Sequence, residues 1–227
     1  MKELEGIQYR LLRGSLEQRM NTPYWGLIAE TGVWPIENRI EYKKIMLYHN
    51  IITSEKKRLI KEIVEDQIKN PYDKCWGSSI IEICEKYKLE IEEIPTYNKQ
   101  ALKREIKDKI RNKIKESIEE KRIEMKKLRF INGNGRQEYI GKLDTKTAVE
   151  LMKVRLNMAD LKANFRNKGK EPWCSLCLSQ EDTTEHLFSC EKLERINENR
   201  WTVGDLDSPS KELWRYLKIA LEMKEVA

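Results

Sequence analysis

The sequence lacks the features that mark membrane, secreted and fibrous proteins. Of its 227 residues, only ten are glycine and six are proline, which excludes a collagen-like or low-complexity chain. No run approaches the roughly 18 apolar residues that a membrane span needs, and the N-terminal residues lack the apolar stretch of a secretory signal. We therefore expect an intracellular protein, nuclear or cytoplasmic, with no membrane partner.

The chain also lacks the motifs of common enzymes. It has two histidines, His49 and His186, and no Ser/His/Asp, Walker or glycine-rich phosphate-binding pattern. Paired carboxylates occur at 92–93 and 119–120, but sequence neighbours point to different sides of a helix and do not share a substrate. We expect that the chain is not an enzyme by itself, and that His49 is packed or lies at the solvent edge.

What the chain does contain is charge and helical periodicity. Charged residues make up 36% and hydrophobic residues 39%, against about 25% and 45–50% in typical globular domains. Nearly every periodic segment is typical of a helix. In the longest, 98–130, apolar residues recur at every fourth position and form one broad face: Leu102, Ile106, Ile110, Ile114 and Ile118.

Cysteine and histidine cluster in one short segment, PWCSLCLSQEDTTEHLFSC, with the spacing C-x2-C-x8-H-x3-C. A tight turn brings the first two thiolates together, and a histidine and a cysteine four apart share one face of a helix. Three sulfurs and one nitrogen favour tetrahedral Zn²⁺ in a closed, structural site. The predicted ligands are Cys174, Cys177, His186 and Cys190, the alternative being a chance grouping in an apolar loop; Cys75 and Cys84 are predicted to be core or surface thiols.

These patterns predict a mainly α fold: a multi-helix array with one long amphipathic helix and a small C-terminal CCHC zinc module. A glycine-containing break after the long helix marks a domain boundary. The predicted regions are an N-terminal helical region (1–97), the long basic helix (98–132), a helical segment (133–172), the zinc module (173–195) and a C-terminal helix (196–227).

Positive charge is concentrated in the middle of the chain. The net charge is +6, and residues 99–129 alone hold 13 basic and 6 acidic side chains. Such a block can attract a polyanion, because cations that neutralise phosphates release counterions. The alternative is a solvated helix face, because acids at i,i+4 spacing partly cancel the charge.

The order of motifs resembles a known family. A helix with Arg155-Leu156-Asn157 precedes the Cys174–Cys177 pair and the Glu185-His186…Cys190 segment, as in the C-terminal zinc-binding region of reverse transcriptases from non-LTR (LINE-type) retrotransposons. Residues 22–51 resemble the region that follows the polymerase domain in jockey-like and RTE-like elements, where a Glu-x-Gly turn leads into a helix rich in Arg, Lys and Tyr. The matching upstream residues are Glu30, Gly32, Pro35, Ile36, Arg39, Lys43, Lys44, Tyr48 and His49.

The resemblance, which covers most of the chain, implies nucleic-acid binding without catalysis. The family's polymerase needs two adjacent aspartates, and this chain has no Asp-Asp pair. What is present resembles the post-polymerase segment. The resemblance implies that the chain binds template RNA or target DNA. It also implies a second partner, the polymerase portion of the same polyprotein. The predicted phosphate contacts are Lys103, Arg104, Lys107, Arg111, Arg155, Lys162, Arg166, Lys168 and Lys170.

Other interpretations remain open at this stage. Arg155 and Arg166 are alternatively simple surface charges, and Trp173 either stacks on a base or covers the zinc site. The alternative function is a helical protein-interaction scaffold, in which zinc only fixes the fold and the apolar face of 98–130 pairs with a partner helix.

Overall fold

The protein folds into a series of helices joined by short connections. The computed structural model describes residues 2–56, 58–125, 128, 130–131, 135–169 and 171–226, without the side chains of 166–168. The α-helices of these ranges are α1 (Lys2–Ser15), α2 (Tyr24–Thr31), α3 (Ile36–Ile52), α4 (Arg58–Lys69), α5 (Trp76–Tyr87), α6 (Lys99–Glu124), α7 (Tyr139–Lys142), α8 (Thr145–Arg155), α9 (His186–Ser189) and α10 (Lys211–Val226). Shorter 3₁₀ turns cover Ile94–Thr96, Lys162–Lys168, Glu194–Ile196 and Val203–Asp207.

The predicted mainly α fold is confirmed. The described residues form no strand, and the β-type pairing among them is one isolated antiparallel bridge between Trp173 and Glu181. No helix in these ranges combines the length and the apolar character needed to cross a bilayer.

The chain divides into two compact units, each built from two separate stretches. The first unit comprises Met1–Gln8 and Trp34–Glu116, and the second comprises Tyr9–Val33 and Ser117–Ala227. Local sequence patterns follow contiguous stretches, so they do not indicate that a unit is assembled from two pieces. The five regions predicted from the sequence therefore stay predictions.

The first unit has an aliphatic core. Helices α3, α4 and α5 pack on one another, and Ile45, Ile80 and Ile94 are fully buried. Burying one such side chain stabilises a fold by about 1.5–3 kcal/mol. The core thus holds α3 in place and determines which of its faces reaches the surface.

Helix α6 begins next to Asn98, whose side-chain oxygen accepts a hydrogen bond from the Gln100 N–H (2.9 Å). The helix ends at Glu124, earlier than the predicted 130. Its five regularly spaced apolar residues are all buried, with 9% exposure at Ile114 and 0–2% at the other four. This face is therefore covered within the chain, and the predicted pairing of the face with a partner helix is wrong.

In the second unit α2 lies close to the end of α8. A Cβ atom added to Gly26 would lie 2.4 Å from the Leu156 side chain, so any other residue would have to displace this buried leucine. Leu27, Ile28 and Leu151 are buried beside it, with 0–1% exposure. The close packing positions a charged pair that the two helices share.

That pair is Glu30 and Arg155, both fully buried. The Arg155 Nε donates to Glu30 Oε1 (2.7 Å), and the Tyr139 hydroxyl donates to Glu30 Oε2 (2.5 Å). Gln137 accepts a further hydrogen bond from the Arg155 guanidinium (3.3 Å). Burial raises the pKa of Glu30, while the adjacent Arg155 and the hydrogen bonds lower it. The prediction that Arg155 contacts phosphate, or lies on the surface, is wrong because this guanidinium neutralises an interior carboxylate.

Candidate metal centre

The segment before α9 folds into a turn that brings Cys174 and Cys177 together. The Cys174 N–H donates to the Gln180 carbonyl (2.8 Å), and the Leu178 N–H donates back to the Cys174 carbonyl (3.0 Å). Leu178 has φ +56°, a left-handed conformation that closes the turn. The two-residue spacing between the cysteines therefore places both thiols on the inside of one loop.

The second half of the site is the four-residue helix α9. The Thr183 hydroxyl accepts the His186 N–H (3.2 Å) and ties the start of the helix to the preceding residues. The Cys190 N–H donates to the His186 carbonyl (3.0 Å), so these two residues lie one turn apart on the same side. The Thr184 hydroxyl donates to Asn157 Oδ1 (2.7 Å) and ties the segment to the end of α8.

The four predicted ligands converge. Their ligand atoms all lie within 4.8 Å of one another, with 4.0 Å between the sulfurs of Cys174 and Cys190 and 3.2 Å between Cys177 Sγ and His186 Nε2. Three of the residues are buried, and Cys177 is half-buried. These four side chains are close enough to hold a metal ion, and the chance-grouping alternative is not supported.

Three further residues surround the ligands. Gln180 Oε1 lies 3.0 Å from His186 Nδ1, so the imidazole can donate there and present Nε2 to a metal. The Ser179 hydroxyl donates to Cys177 Sγ (3.2 Å), and the Lys224 ammonium donates to Cys174 Sγ (3.4 Å). Ser179 and Gln180 follow Cys177 closely in sequence, but Lys224 comes from α10 and no local pattern pointed to it.

The surroundings shift two thiol pKa values in opposite directions. Burial alone raises the pKa of Cys177, but hydrogen bonds from Ser179, from backbone N–H groups and from His186 outweigh it and lower the pKa to about 6. Burial raises the pKa of Cys190 to about 11, with the neighbouring Cys174 adding to the rise. A pKa of about 6 favours the thiolate of Cys177 at neutral pH, the form that binds a metal ion, whereas Cys190 would have to lose its proton for an ion to bind.

A cavity of about 460 Å³ lies beside the site and is lined by residues of α8, of α10 and of the segment 171–195. Asp182 is 2% exposed and forms an ion pair with Lys224. Its carboxylate also accepts the Lys162 backbone N–H (2.8 Å). Lys162 itself lines the cavity, so the structure brings this predicted phosphate contact close to the metal ligands.

The predicted phosphate contacts on α6 are on its outer side. Arg104, Lys107 and Arg111 are exposed and Lys103 is half-buried. With 3.6 residues per turn, Arg104, Lys107 and Arg111 fall within about 60° of one another. Exposed Lys115 continues the row and was missed by the sequence prediction; we call these four residues the cationic stripe. Lys170 and the side chains of Arg166 and Lys168 lie outside the described residues.

The remaining predictions concern single side chains. Trp173 is 46% exposed, so it does not form a closed cover over the site. Leu178, in the same turn, is 73% exposed. Cys75 and Cys84 are buried free thiols, and burial raises the pKa of Cys84 to about 12. His49 is packed, 4% exposed, with Nε2 3.0 Å from the Tyr97 carbonyl oxygen.

No protein family, curated protein or solved structure matches this chain.

Proposed function

We propose that this chain is a nucleic-acid-binding module with a structural zinc ion, equivalent to the C-terminal, post-polymerase region of a non-LTR retrotransposon reverse transcriptase. The observation on which the proposal depends is the cationic stripe of α6. The module has no polymerase or endonuclease site of its own, so its contribution is to hold RNA or DNA.

The ligand set favours zinc over other metals. A Cys₃His set suits tetrahedral Zn²⁺. Two sulfurs about 2.3 Å from a tetrahedral ion lie about 3.8 Å apart, close to the 4.0 Å between Cys174 and Cys190. All four positions are taken by side chains, which leaves none for a substrate or a water. The ion would therefore fix the segment 171–195 and supply no catalysis.

Metal analysis tests this assignment. We expect about one zinc ion per chain in protein purified without added metal, and a loss of that ion in Cys177→Ser or Cys190→Ser, because a structural site needs all four ligands. Cys75→Ser is the matched control, since Cys75 lies outside the cluster and its sulfur accepts the Ser78 N–H (3.2 Å), as a serine hydroxyl can. Wild-type protein with no metal, or a Cys75→Ser variant that loses it, would contradict the assignment.

The cationic stripe supports phosphate binding because its charges are solvent-facing and closely spaced. Arg111 has one acidic neighbour, Asp108 (3.1 Å), and both side chains are more than 60% exposed. Such exposed pairs contribute at most about 1 kcal/mol, so a phosphate can displace the carboxylate. Exposed Trp173 and Leu178 beside the metal ligands are a second surface on which an unpaired base can stack.

Salt dependence tests the nucleic-acid proposal. We expect the logarithm of affinity for a generic oligonucleotide to fall linearly with the logarithm of salt concentration, because phosphate contacts release counterions. In the variant R104Q/K107Q/R111Q the slope should fall by about 2–3, at about 0.7–0.9 for each lost contact.

The control removes three cations elsewhere. In R58Q/K74Q/K142Q the wild-type side chains are 70–90% exposed, and the variant has the same net charge as the stripe variant. It should keep most of the wild-type slope. Equal slopes in the two variants would mean that net charge, rather than the stripe, attracts the oligonucleotide.

A protein-interaction scaffold is the second candidate function. The observation that favours it is an exposed aliphatic group on α4: Leu59 is 70% exposed, and Ile60 and Ile63 are each 49% exposed. A scaffold of this kind should bind no oligonucleotide at any salt concentration, whereas the nucleic-acid module should bind at low salt and release at high salt.

A further inference from the structure

Helix α3 exposes an apolar strip in the first unit. The strip consists of Ile36, Ile40 and Leu47; the first two are half-buried and Leu47 is 45% exposed. At 3.6 residues per turn these three side chains fall within about 40° of one another. They form the floor of an open groove of about 380 Å³.

Cations flank the apolar strip on both sides. Arg39 and Lys43 follow one edge and Lys44 follows the other, and all three line the groove. Arg39 and Lys43 are exposed, and the described residues give neither an ion-pair partner. Lys44 is held in place because its ammonium donates to the Ser79 hydroxyl (2.6 Å).

The carboxylates of α3, Glu37 and Glu41, lie just beyond the Lys44 edge of the strip and are held by side chains of α5. Lys86 binds both Glu37 (3.4 Å) and Glu41 (2.7 Å), and the Tyr87 hydroxyl donates to Glu41 (2.5 Å). No carboxylate lines the groove among the described residues. The groove therefore combines an apolar floor with an uncompensated positive rim.

We propose that this groove docks an acidic amphipathic helix of another protein. Aliphatic side chains of such a helix would cover the strip, and carboxylates beside them would pair with Arg39, Lys43 and Lys44, which is the helix-in-groove mode of recognition. A nucleic acid would use the cations but leave the aliphatic floor uncovered. The strip spans about 17 Å along α3 at 1.5 Å per residue, enough for about three turns of a partner helix.

This inference goes beyond the proposed function, because it concerns a different helix and a different class of partner. A designed peptide serves as the probe: an end-capped helix of about 15 residues with leucines at i, i+4, i+7 and i+11 and glutamates at most other positions. One comparison peptide has the same composition in an order that separates the leucines, and another has lysine in place of glutamate.

We expect the acidic peptide to bind the full chain in the micromolar range at physiological salt, and the scrambled and lysine peptides to bind at least about tenfold more weakly. Ile40→Ser with Leu47→Ser should weaken binding by about tenfold or more, through the lost apolar contact. Arg39→Glu with Lys43→Glu should weaken binding of the acidic peptide and improve binding of the lysine peptide. This exchange of preference still tests the groove if the serine variant fails to fold.

The matched control changes an apolar group on another helix. Ile219→Ser with Met223→Ser removes two apolar side chains of α10, which are 45% and 36% exposed, and should leave peptide affinity unchanged. Equal binding of the scrambled peptide, or loss of binding in this control, would overturn the proposal. The proposal would also be overturned by an oligonucleotide that displaces the peptide and binds R39E/K43E less tightly than the wild-type chain. The surface would then belong to the nucleic-acid interface. The α6 variants test that interface separately.

Discussion

At the scale of single residues, the interior pair Arg155–Glu30 has the largest energetic consequence. A buried ion loses several kcal/mol of hydration, which is offset only if a partner of opposite charge and further hydrogen bonds are in place. Here Tyr139 donates to Glu30 and Gln137 accepts from Arg155, although the buried Arg155 Nη1 has no hydrogen-bond partner among the described residues. Neither charge is tolerated without the other, so single substitutions leave an uncompensated ion.

We predict that Arg155→Met or Glu30→Gln lowers the free energy of unfolding by about 3–5 kcal/mol, the typical cost of breaking a buried pair on one side. The double variant should be less destabilised than the sum of the two. The measurement is urea unfolding of the single and double variants.

Asp160→Asn is the control for that prediction. Asp160 pairs with Arg19 at the surface, with a side chain 67% exposed, and exposed pairs contribute about 0–1 kcal/mol. A similar loss of unfolding free energy in Asp160→Asn and Arg155→Met would show that burial does not increase the cost of breaking the Glu30–Arg155 pair.

The metal ligands could be predicted from the sequence, whereas the partner of Arg155 could not. Hydrogen bonds within one short segment bring together Cys174, Cys177 and His186, so the spacing of these residues alone indicates the site. Glu30 lies 125 positions from Arg155, and a basic residue near the end of a helix is usually solvated. Long-range packing overrode that expectation, and it also placed Lys224 beside Cys174.

At the scale of elements, α6 has two faces in different surroundings. Its apolar face is buried and its opposite face bears the cationic stripe. The four-residue periodicity predicted the first face correctly, because a helix places such residues on one side wherever it packs. The periodicity could not indicate what covers that face, and the cover lies in this same chain.

We predict that Ile110→Ala in α6 destabilises the fold by about 2–5 kcal/mol, because the truncated side chain leaves a cavity in a close-packed core. The wild-type side chain is 0% exposed. Thermal unfolding followed by circular dichroism provides the measurement.

Ile123→Ala is the matched control in the same helix. Ile123 is 81% exposed, and surface changes of this kind are usually within about 0.5 kcal/mol. Comparable losses at both positions would mean that helix propensity, rather than burial, determines the effect.

At the scale of the whole molecule, regular structure is unevenly distributed. The first unit contains long helices with an aliphatic core, whereas the segment 171–195 has one isolated bridge and the four-residue α9. If the proposed zinc ion binds, a segment with so little regular structure would depend on it for stability, because the free energy of metal binding is then folding free energy.

We therefore predict that chelation of the metal, or Cys177→Ser, removes hydrogen-exchange protection from 171–195 and leaves α3, α4 and α5 protected. Cys75→Ser should change neither region. If the helices of the first unit lose protection together with 171–195, the two units unfold as one and the metal supports the entire chain.

The ion pair between Glu30 and Arg155 also makes substitutions in two distant stretches of the gene depend on each other. A mutation that removes only one of the two charges would destabilise the fold. We therefore expect the two positions to change together or not at all. Among related sequences, we expect this correlation to be strongest where both positions become uncharged, since two uncharged side chains lose no ionic hydration on burial.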